Sequence, residues 1–460
     1  MAQAFFDAVM KAASSLKKEE GPIHVITHLD SDGLTSAAIM TKALKREGKI
    51  FVLTVVKQIA DSLLQRLAKE SYPIVMFLDL GSGNLSKISN ILKEKTVYVL
   101  DHHQIQEATI EFHINPLLFD LSGQDISGAG VSYLFAKALN PLNKENAHLA
   151  ILGAIGDMQE NKGFSGLNAE ILKDATNLEI KNGLRMFGAQ TRPLHKILEY
   201  SYDPYIPGVT GSEAQSMRFL EETGIPLREN GKYRKLIQLS PEEVKKLITA
   251  IILRRLGSEQ NPEDIFGNSY LVKDEEDELP TKDLKEFSTL LNCCGRMNKP
   301  SLGIGTCLND SNLKQKAIEL LVSYKLEIIT ALNWFHSNRK NPCIQEEESF
   351  ILINAEDHMR DTLIGTLCSI ISRSGVYKEG ALIIGLAHTL DDNTKISVRC
   401  VGNADVNAKE ILNEITKRIG YEAGGHPQAA GSLIPQEKEI EFLQIASAYL
   451  KKRAIEEVVK

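Results

Sequence analysis

The chain reads as an α/β protein: an N-terminal domain with a parallel sheet flanked by helices, a connecting helix, and a smaller C-terminal α/β domain. Three observations predict this. Short apolar runs near 23–27, 50–56, 74–78 and 97–100 alternate with helical spacing near 34–47, 59–69 and 85–94, the order of a βαβ series. From Leu313, LKQKAIELLVSYKLEIITALNWF keeps apolar residues at helical spacing for about six turns. From Ser349 an α/β pattern restarts. The expected bounds are 1–310, 311–340 for the connecting helix, and 345–460.

Three of the early runs end alike. Ile23 to Gly33 reads IHVITHLDSDG and leaves His28, Asp30 and Asp32 where the apolar run stops. Ile74 to Leu80 reads IVMFLDL and carries Asp79; Val97 to His103 reads VYVLDHH and ends in Asp101, His102 and His103. In an open parallel sheet ligands bind outside the carboxyl ends of the strands, so these polar tails converge on one crevice. His28, Asp30 and Asp32 alternate, and in extended chain that spacing turns all three toward one ion. Carboxylates mixed with imidazole suit manganese, magnesium or iron better than a thiolate-rich zinc cage. Without cations among them, so many carboxylates would oppose folding. A lone Asp after a strand is ordinarily a helix cap; co-occurrence at three strand ends is what points to metal.

Taken in order, the other elements begin with an amphipathic helix over 4–19. After Asn115-Pro116 the pattern turns helical, through GAGVSYLFAKAL from Gly128 and AHLAILGAIGD from Ala147. The second segment puts Asp157 at a helix end beside Gly153 and Gly156, whose small size permits close approach to the metals. Residues 195–285, punctuated by Pro204, Pro207, Pro226, Pro241 and Pro262, read as a helical insertion without nameable chemistry. PEEVKKLITAIILRRLG within it starts on proline and stops on glycine, as a helix does. The last domain holds ESFILINA, a helix over 358–372, the strands GALIIGLA and KISVRCVG, a helix over 404–419, a Gly-Gly-His loop and a final helix. Gly424 and Gly425 let backbone N–H groups approach an anion, and His426 can donate to a phosphate oxygen. Arg399 on its strand, and Arg296 in a glycine-flanked turn, can fork onto phosphates.

A length of 460 residues implies two or three domains, and 43% hydrophobic with 25% charged residues is a soluble globular composition. No run of eighteen apolar residues exists and the N-terminus lacks signal-peptide order, so a cytoplasmic chain without membrane contact is expected. Six cysteines, Cys293 and Cys294 adjacent and none in a CxxC pair, argue against a disulfide framework and a zinc site. The net charge of −7 opposes nucleic-acid binding only superficially, because the five acids of 274–278 read as a solvated loop, and leaving them out brings it to −2.

HLDSDG, FLDLG, LDHHQ and GAIGDM with Asp157 resemble the four motifs of the DHH phosphoesterase superfamily. GGHPQAAG from Gly424 is similar to the motif of the DHHA1 domain that follows DHH domains in RecJ-like exonucleases, and LNCCGRMN from Leu291 resembles a RecJ-type motif with its arginine. Length and layout resemble archaeal RecJ-like nucleases of the GINS-associated type, over nearly the whole chain except about 195–285. His28 stands where bacterial members tend to carry aspartate.

The resemblance implies two divalent ions, Mn2+ with Mg2+ as the alternative, in the cleft of a two-lobed hydrolase. Asp32, Asp79, His102 and Asp157 would hold one ion; His28, Asp30 and the bridging Asp79 would hold the other. Asp101 would orient the imidazole of His102, and His103 would contact the scissile phosphate. Asn292, Arg296, Arg399, Gly424, Gly425 and His426 would bind phosphate and strand, with Arg399 and His426 also serving the reaction. The implied activity is release of nucleoside monophosphates from single-stranded nucleic acid in replication or repair, with the GINS complex as candidate partner. Two alternatives stand beside it: an oligoribonucleotide or cyclic-dinucleotide phosphodiesterase, and a replication scaffold with little catalysis.

Overall fold

The computed structural model describes residues 2–160, 163–201, 204–256, 261–374, 376–402 and 406–459. The chain divides into two compact units, Met1–Leu321 and Val322–Lys460.

In the first unit, α1 (Ala2–Lys18) leads into β1 (Ile23–His28), α2 (Ser31–Arg46), β2 (Phe51–Val56), α3 (Asp61–Lys69), β3 (Ile74–Leu78), α4 (Leu85–Ile91), β4 (Thr96–Leu100) and β5 (Phe112–Ile114). The strands form one parallel sheet in the order β2-β1-β3-β4-β5. β3 is buried along its whole length and β1 along all but His28, as expected of parallel strands covered on both faces. Because the crossovers reverse direction between β1 and β3, a crevice opens outside the carboxyl ends of those two strands. Helices α5 (Gly128–Leu139) and α6 (Ala147–Gly156) pack against α2 and are followed by α7 (Gly166–Asp174). β5 continues the sheet without a helical crossover, an element that its three residues did not make legible.

A further module follows: β6 (Leu178–Leu184), α8 (Leu194–Glu199), α9 (Glu213–Glu222), a small hairpin of β7 (Arg228–Glu229) and β8 (Lys232–Tyr233), α10 (Pro241–Arg255) and β9 (Phe266–Val272). It has its own apolar core, including Leu194, Leu198, Ile206, Phe219, Leu247 and Ile251. Helix α10 has the expected proline start, with Ser240 as N-cap and Glu243 completing a capping box. Helices α11 (Leu284–Arg296), α12 (Pro300–Cys307) and the 28-residue α13 (Ser311–Asn338) complete the sequence of elements up to the second sheet. The division between the units falls within α13.

The second unit is built on a six-stranded sheet from β10 (Ile344–Glu346), β11 (Phe350–Asn354), β12 (Leu382–His388), β13 (Asn393–Cys400), β14 (Gly424–His426) and β15 (Ala429–Pro435), in the order β10-β11-β12-β13-β15-β14. Only β11 and β12 pair in parallel. Alternation along β11 sends Ile351 and Ile353 to a core with α14 (Asp361–Ser372), and Phe350 and Leu352 to one with α15 (Ala408–Lys417) and α16 (Glu439–Val459). The Gly-Gly-His stretch is therefore an edge strand rather than a loop. Gly425 sits at φ +125, and a Cβ there would lie 2.4 Å from the carbonyl oxygen of Ala429, so hairpin pairing alone requires glycine.

Candidate metal centre

Each cluster residue is delivered by a strand end or helix end. β1 stops at His28, Asp30 is the extended N-cap of α2 with Oδ1 accepting from Gly33 N at 3.0 Å, and Asp32 lies in the first turn. A Cβ at Gly33 would come within 2.4 Å of the His28 carbonyl oxygen, so glycine lets the helix start this close to the strand. Asp79 follows β3 at φ 59, a left-handed conformation costing a non-glycine residue about 1–3 kcal/mol, which persists only where the surroundings enforce it. Its N–H donates to the Leu100 carbonyl at 2.9 Å, tying it to β4.

Asp79 stands between two groups of ligand-type atoms. Its Oδ2 lies 3.7 Å from His28 Nδ1, which is 2.8 Å from Asp30 Oδ2. Its Oδ1 lies 3.5 Å from His102 Nε2 and 3.9 Å from His103 Nδ1. His102 Nε2 is in turn 3.1 Å from Asp157 Oδ2 and 3.7 Å from Asp32 Oδ2. Ligand atoms of His28, Asp30 and Asp79, of Asp32, His102 and Asp157, and of Asp79, His102 and His103 each fall within 4.8 Å of one another. The three alternating residues of the first run do not face one point. The chain leaves the extended conformation after Asp30, and the helical turn that follows carries Asp32 to the group opposite His28 and Asp30.

Among the described residues, both Asp79 oxygens, His28 Nδ1 and His102 Nε2 are buried without a hydrogen-bond partner. The imidazole nitrogens stand 3.5–3.7 Å from the Asp79 oxygens, within ion-pairing distance but long for hydrogen bonds, and leaving buried polar atoms in that state is costly. Burial and the charges of Asp79 and Asp157 push the Asp32 carboxyl well up, and burial with Asp79 raises that of Asp157. Burial alone would lower the imidazoles of His28 and His102, but the carboxylates of Asp30 and Asp79 around the first, and of Asp157, Asp79 and Asp32 around the second, raise both well above the ordinary range. Two imidazoles and four carboxylates around unsatisfied buried atoms fit hard or borderline divalent cations.

The residues behind the cluster explain its shape. His102 Nδ1 faces the Gly123 carbonyl at 3.0 Å, which leaves Nε2 for the carboxylates. Asp101 bonds the ring of His103, Nδ1 to Oδ1 at 2.7 Å, and not that of His102. Residues 101 and 103, two apart, share a side, which brings the carboxylate to the second imidazole. Asp101 also accepts from Ser82 N at 2.8 Å and His102 N at 2.8 Å. Against its burial, these neighbours hold its carboxyl far below the usual range, and against the burial of His103 the same contact lifts that imidazole to about 8. Asp32 accepts from Gly128 N at 2.6 Å and Ala129 N at 2.9 Å, at the start of α5. A Cβ at Gly153 would lie 2.2 Å from Asp32 Oδ1, and one at Gly128 would lie 2.5 Å from Asp79 Oδ1. These glycines make room for carboxylates.

Other sequence-derived candidates stand elsewhere. Asn292 Oδ1 accepts from Ser31 N at 3.0 Å, and a Cβ at Gly295 would strike the Leu29 carbonyl oxygen, so α11 braces the β1–α2 turn. Arg296 is the last residue of α11, not part of a turn, because the helix runs through Gly295. Arg399 lies on β13 in the second unit, its Nε donating to Ser369 Oγ at 2.9 Å and its Nη1 to the Val398 carbonyl at 2.8 Å. Gly424 and Gly425 are in β14; the His426 side chain lies outside the described part of the structure. Reasoning from sequence missed Ser82, Asn115, Gly123 and Gln159. Asn115 Nδ2 bonds the His103 carbonyl at 2.9 Å, and Gln159 Nε2 bonds the Gly123 carbonyl at 3.0 Å. Asn115-Pro116 was visible as a boundary, but no spacing marks Gln159.

Residues 22–154 match the family model of the DHH family N-terminal domain, 186–266 that of the DHH-CID domain, and 360–452 that of the DHHA1 domain. The middle match covers most of the stretch in which no resemblance was legible. The chain is 31% identical over 440 residues to the uncharacterized protein MJ0831 of Methanocaldococcus jannaschii, covering 92% of each. It belongs to the DHH/DHHA1 superfamily. Its fold is similar to RecJ from Thermus thermophilus in complex with Mn2+, at TM-score 0.59 and 18% identity over 97% of this chain and 55% of that one, so it spans about half that protein's length. It is also similar to an exonuclease RecJ bound to manganese, at 0.58 and 17% over 96% and 94%, and to CDC45 from Entamoeba histolytica, at 0.61 and 12% over 98% of each. Among the described residues, no helix is long and apolar enough to cross a membrane.

Proposed function

We propose that this chain is a metal-dependent exonuclease that hydrolyses phosphodiester bonds of single-stranded nucleic acid to nucleoside monophosphates. The observation that carries the reading is Asp79: a buried carboxylate in a strained backbone, one unsatisfied oxygen toward His28 and the other toward His102. Asp32, Asp79, His102 and Asp157 would hold one divalent ion, and His28, Asp30 and Asp79 the other, with Mn2+ preferred and Mg2+ the alternative. Bound there, the ions would lower the pKa of water and offset charge developing on the phosphoryl oxygens. His103, held by Asp101 through Nδ1 and cationic at neutral pH, presents its remaining N–H to a phosphate. Arg296, Arg399, Gly424, Gly425 and His426 are assigned to strand and phosphate contacts. Asn292 already gives its oxygen to Ser31, which leaves a phosphate its amide N–H groups.

In this reading residues 1–310 form the hydrolytic domain with its module at about 195–285, 311–340 the connecting helix and 345–460 the accessory domain. The setting is cytoplasmic replication or repair, with GINS as partner. The test is an end-labelled single strand, DNA and RNA in parallel, incubated with manganese. Mononucleotide release that is abolished by chelation and restored by manganese supports the reading; full activity after chelation and prolonged dialysis overturns it. Stronger release from a dimer than from a long strand would favour the small-substrate phosphodiesterase.

The CDC45 likeness, which spans nearly the full length of both chains, favours a scaffold as second reading. Fold alone does not choose between them. The unsatisfied acidic cluster favours hydrolysis, since a scaffold gains nothing from bearing its cost.

A further inference from the structure

Arg192 is held in place the way a binding group is. The turn after β6 carries Phe187 and Gly188, and Arg192 N donates to the Gly188 carbonyl at 2.9 Å. Gly188 sits at φ +92, and a Cβ there would lie 2.5 Å from Arg192 Cδ, so the turn is shaped for this side chain to lie across it. The guanidinium carbon is 4.8 Å from the centroid of the Phe187 ring and 5.7 Å from that of Tyr200. Both rings face solvent, at 39% and 50% exposure, and Lys196 Nζ lies 5.8 Å from the Tyr200 centroid. Among the described residues the Arg192 guanidinium has no hydrogen-bond or ion-pair partner. The nearby acid is Glu286, whose oxygens are taken by Gln190 N at 3.0 Å and by Thr191 Oγ1. Lys196 is paired with Glu199 and Glu213, so the uncommitted positive charge is that of Arg192.

The same contacts tie this feature to the acidic cluster. Glu286 lies on α11, six residues before Asn292, which bonds Ser31 between Asp30 and Asp32; at helical rise that is about 9 Å. Lys285 pairs with Glu160 at 3.1 Å, three residues beyond Asp157. An arginine rigidified by two rings loses little entropy on binding and offers a planar fork to a phosphate, while exposed rings beside it accept stacked bases of any sequence. A carboxylate partner on a protein would use the fork but not the pair of open rings.

We infer that Phe187, Arg192 and Tyr200 form a clamp for single-stranded nucleic acid, standing off from the hydrolytic cluster and gripping the strand away from the scissile bond. This rests on the function proposed above, and assigns part of the strand path to the module matched by the DHH-CID family model.

The test measures binding without turnover. Chelated full-length protein is titrated into a fluorescently labelled single strand of roughly 20 nucleotides, longer than one site of this kind needs. R192A is expected to weaken affinity roughly tenfold and to lower the slope of log affinity against log salt by about 0.7, one single-strand phosphate contact. R192K should recover the salt slope but only part of the affinity, because the fork and the stacking are lost. F187A combined with Y200A should weaken affinity by a similar factor with the slope nearly unchanged. With manganese, the R192A deficit should be larger on the long strand than on a dinucleotide. Unchanged affinity and slope in all variants, with melting temperatures matching the parent, overturns the clamp and leaves these groups to a protein partner. Because binding is read in chelator, absence of hydrolysis in the parent would overturn the proposed activity without deciding the clamp.

Discussion

The two sheets of this protein bury ionisable groups in opposite ways. In the second unit, Glu439 at the start of α16 accepts from Thr394 Oγ1 at 2.6 Å and Asn354 Nδ2 at 2.9 Å, and meets His388 Nε2 at 3.0 Å. Both of its oxygens have partners, which ties the start of α16 to the sheet. In the first unit, Asp79 is as deeply buried, yet neither oxygen has a hydrogen-bond partner among the described residues. Folding alone explains the first arrangement. The second fits a cation bound by the chain, because carboxylate oxygens buried without hydrogen bonds beside three other carboxyls cost stability.

Asp79→Asn separates the two cases most sharply. Asparagine tolerates positive φ, so the backbone should hold, but one anionic ligand oxygen is gone. Hydrolysis should fall by several orders of magnitude, beyond the roughly hundredfold typical of residues that only support a ligand. Metal per chain, measured by native mass spectrometry, should drop below two while the metal-free melting temperature does not fall. Two ions retained with a near-normal rate would remove Asp79 from the bridging position. Gly153→Ala is next: its Cβ would displace Asp32, and manganese affinity should weaken about 10–100-fold. Calorimetric affinity within twofold of the parent would show that Asp32 has room to move without loss.

The contrast also shows what the amino-acid sequence carries. The cluster at the ends of β1, β3 and β4 was legible because buried parallel strands leave long apolar runs and their polar tails stand out against them. The distribution of His28, Asp30 and Asp32 between two groups was implied by the family resemblance but not by period-two spacing, which turns all three toward one ion and fails where Asp30 caps a helix. The partner of Asp101 was misassigned although the same period-two rule, applied to 101 and 103, predicts it. Gln159 and Arg192 were illegible because their roles depend on contacts distant in sequence and on a turn defined by Gly188. Residues 195–285 offered no nameable chemistry because short elements between prolines bury a core with few long periodic runs.

Protonation gives a third way to set the sheets apart. In the metal-free protein the imidazoles of His28 and His102 are held protonated above their ordinary range, burial being outweighed by the carboxylates, and the Asp32 carboxyl is raised by burial and by Asp79 and Asp157. Metal needs all of them deprotonated, so binding releases protons and apparent affinity should rise with pH, about tenfold per unit for each proton released, until the raised values are passed. Titration calorimetry in buffers of different ionisation enthalpy counts those protons; affinity flat between pH 6 and 8 would contradict the assignment. For the second sheet, Glu439→Ala should leave metal content unchanged but strand Thr394 and Asn354, costing about 1–3 kcal/mol in urea unfolding. An equal loss of manganese would erase the distinction between the two clusters.

The smallest expected effect lies where the two kinds of burial meet. Asn292 is a polar residue whose one described side-chain contact, Oδ1 to Ser31 N, holds the turn that carries Asp30 and Asp32 beside the unsatisfied Asp79. Asn292→Ala removes one neutral hydrogen bond, worth about 0.5–1.5 kcal/mol. Gly295, pressed against the Leu29 carbonyl, still fixes α11 on the same turn, so the turn should loosen without unfolding. Manganese affinity should therefore weaken a few-fold, with a matching loss in hydrolysis at limiting metal that excess metal restores. A phosphate contact behaves otherwise: the loss would persist at saturating manganese and appear as weaker strand binding in chelator, with metal affinity intact. Measuring both affinities on one variant decides whether α11 acts on the metal cluster from behind or reaches the strand itself.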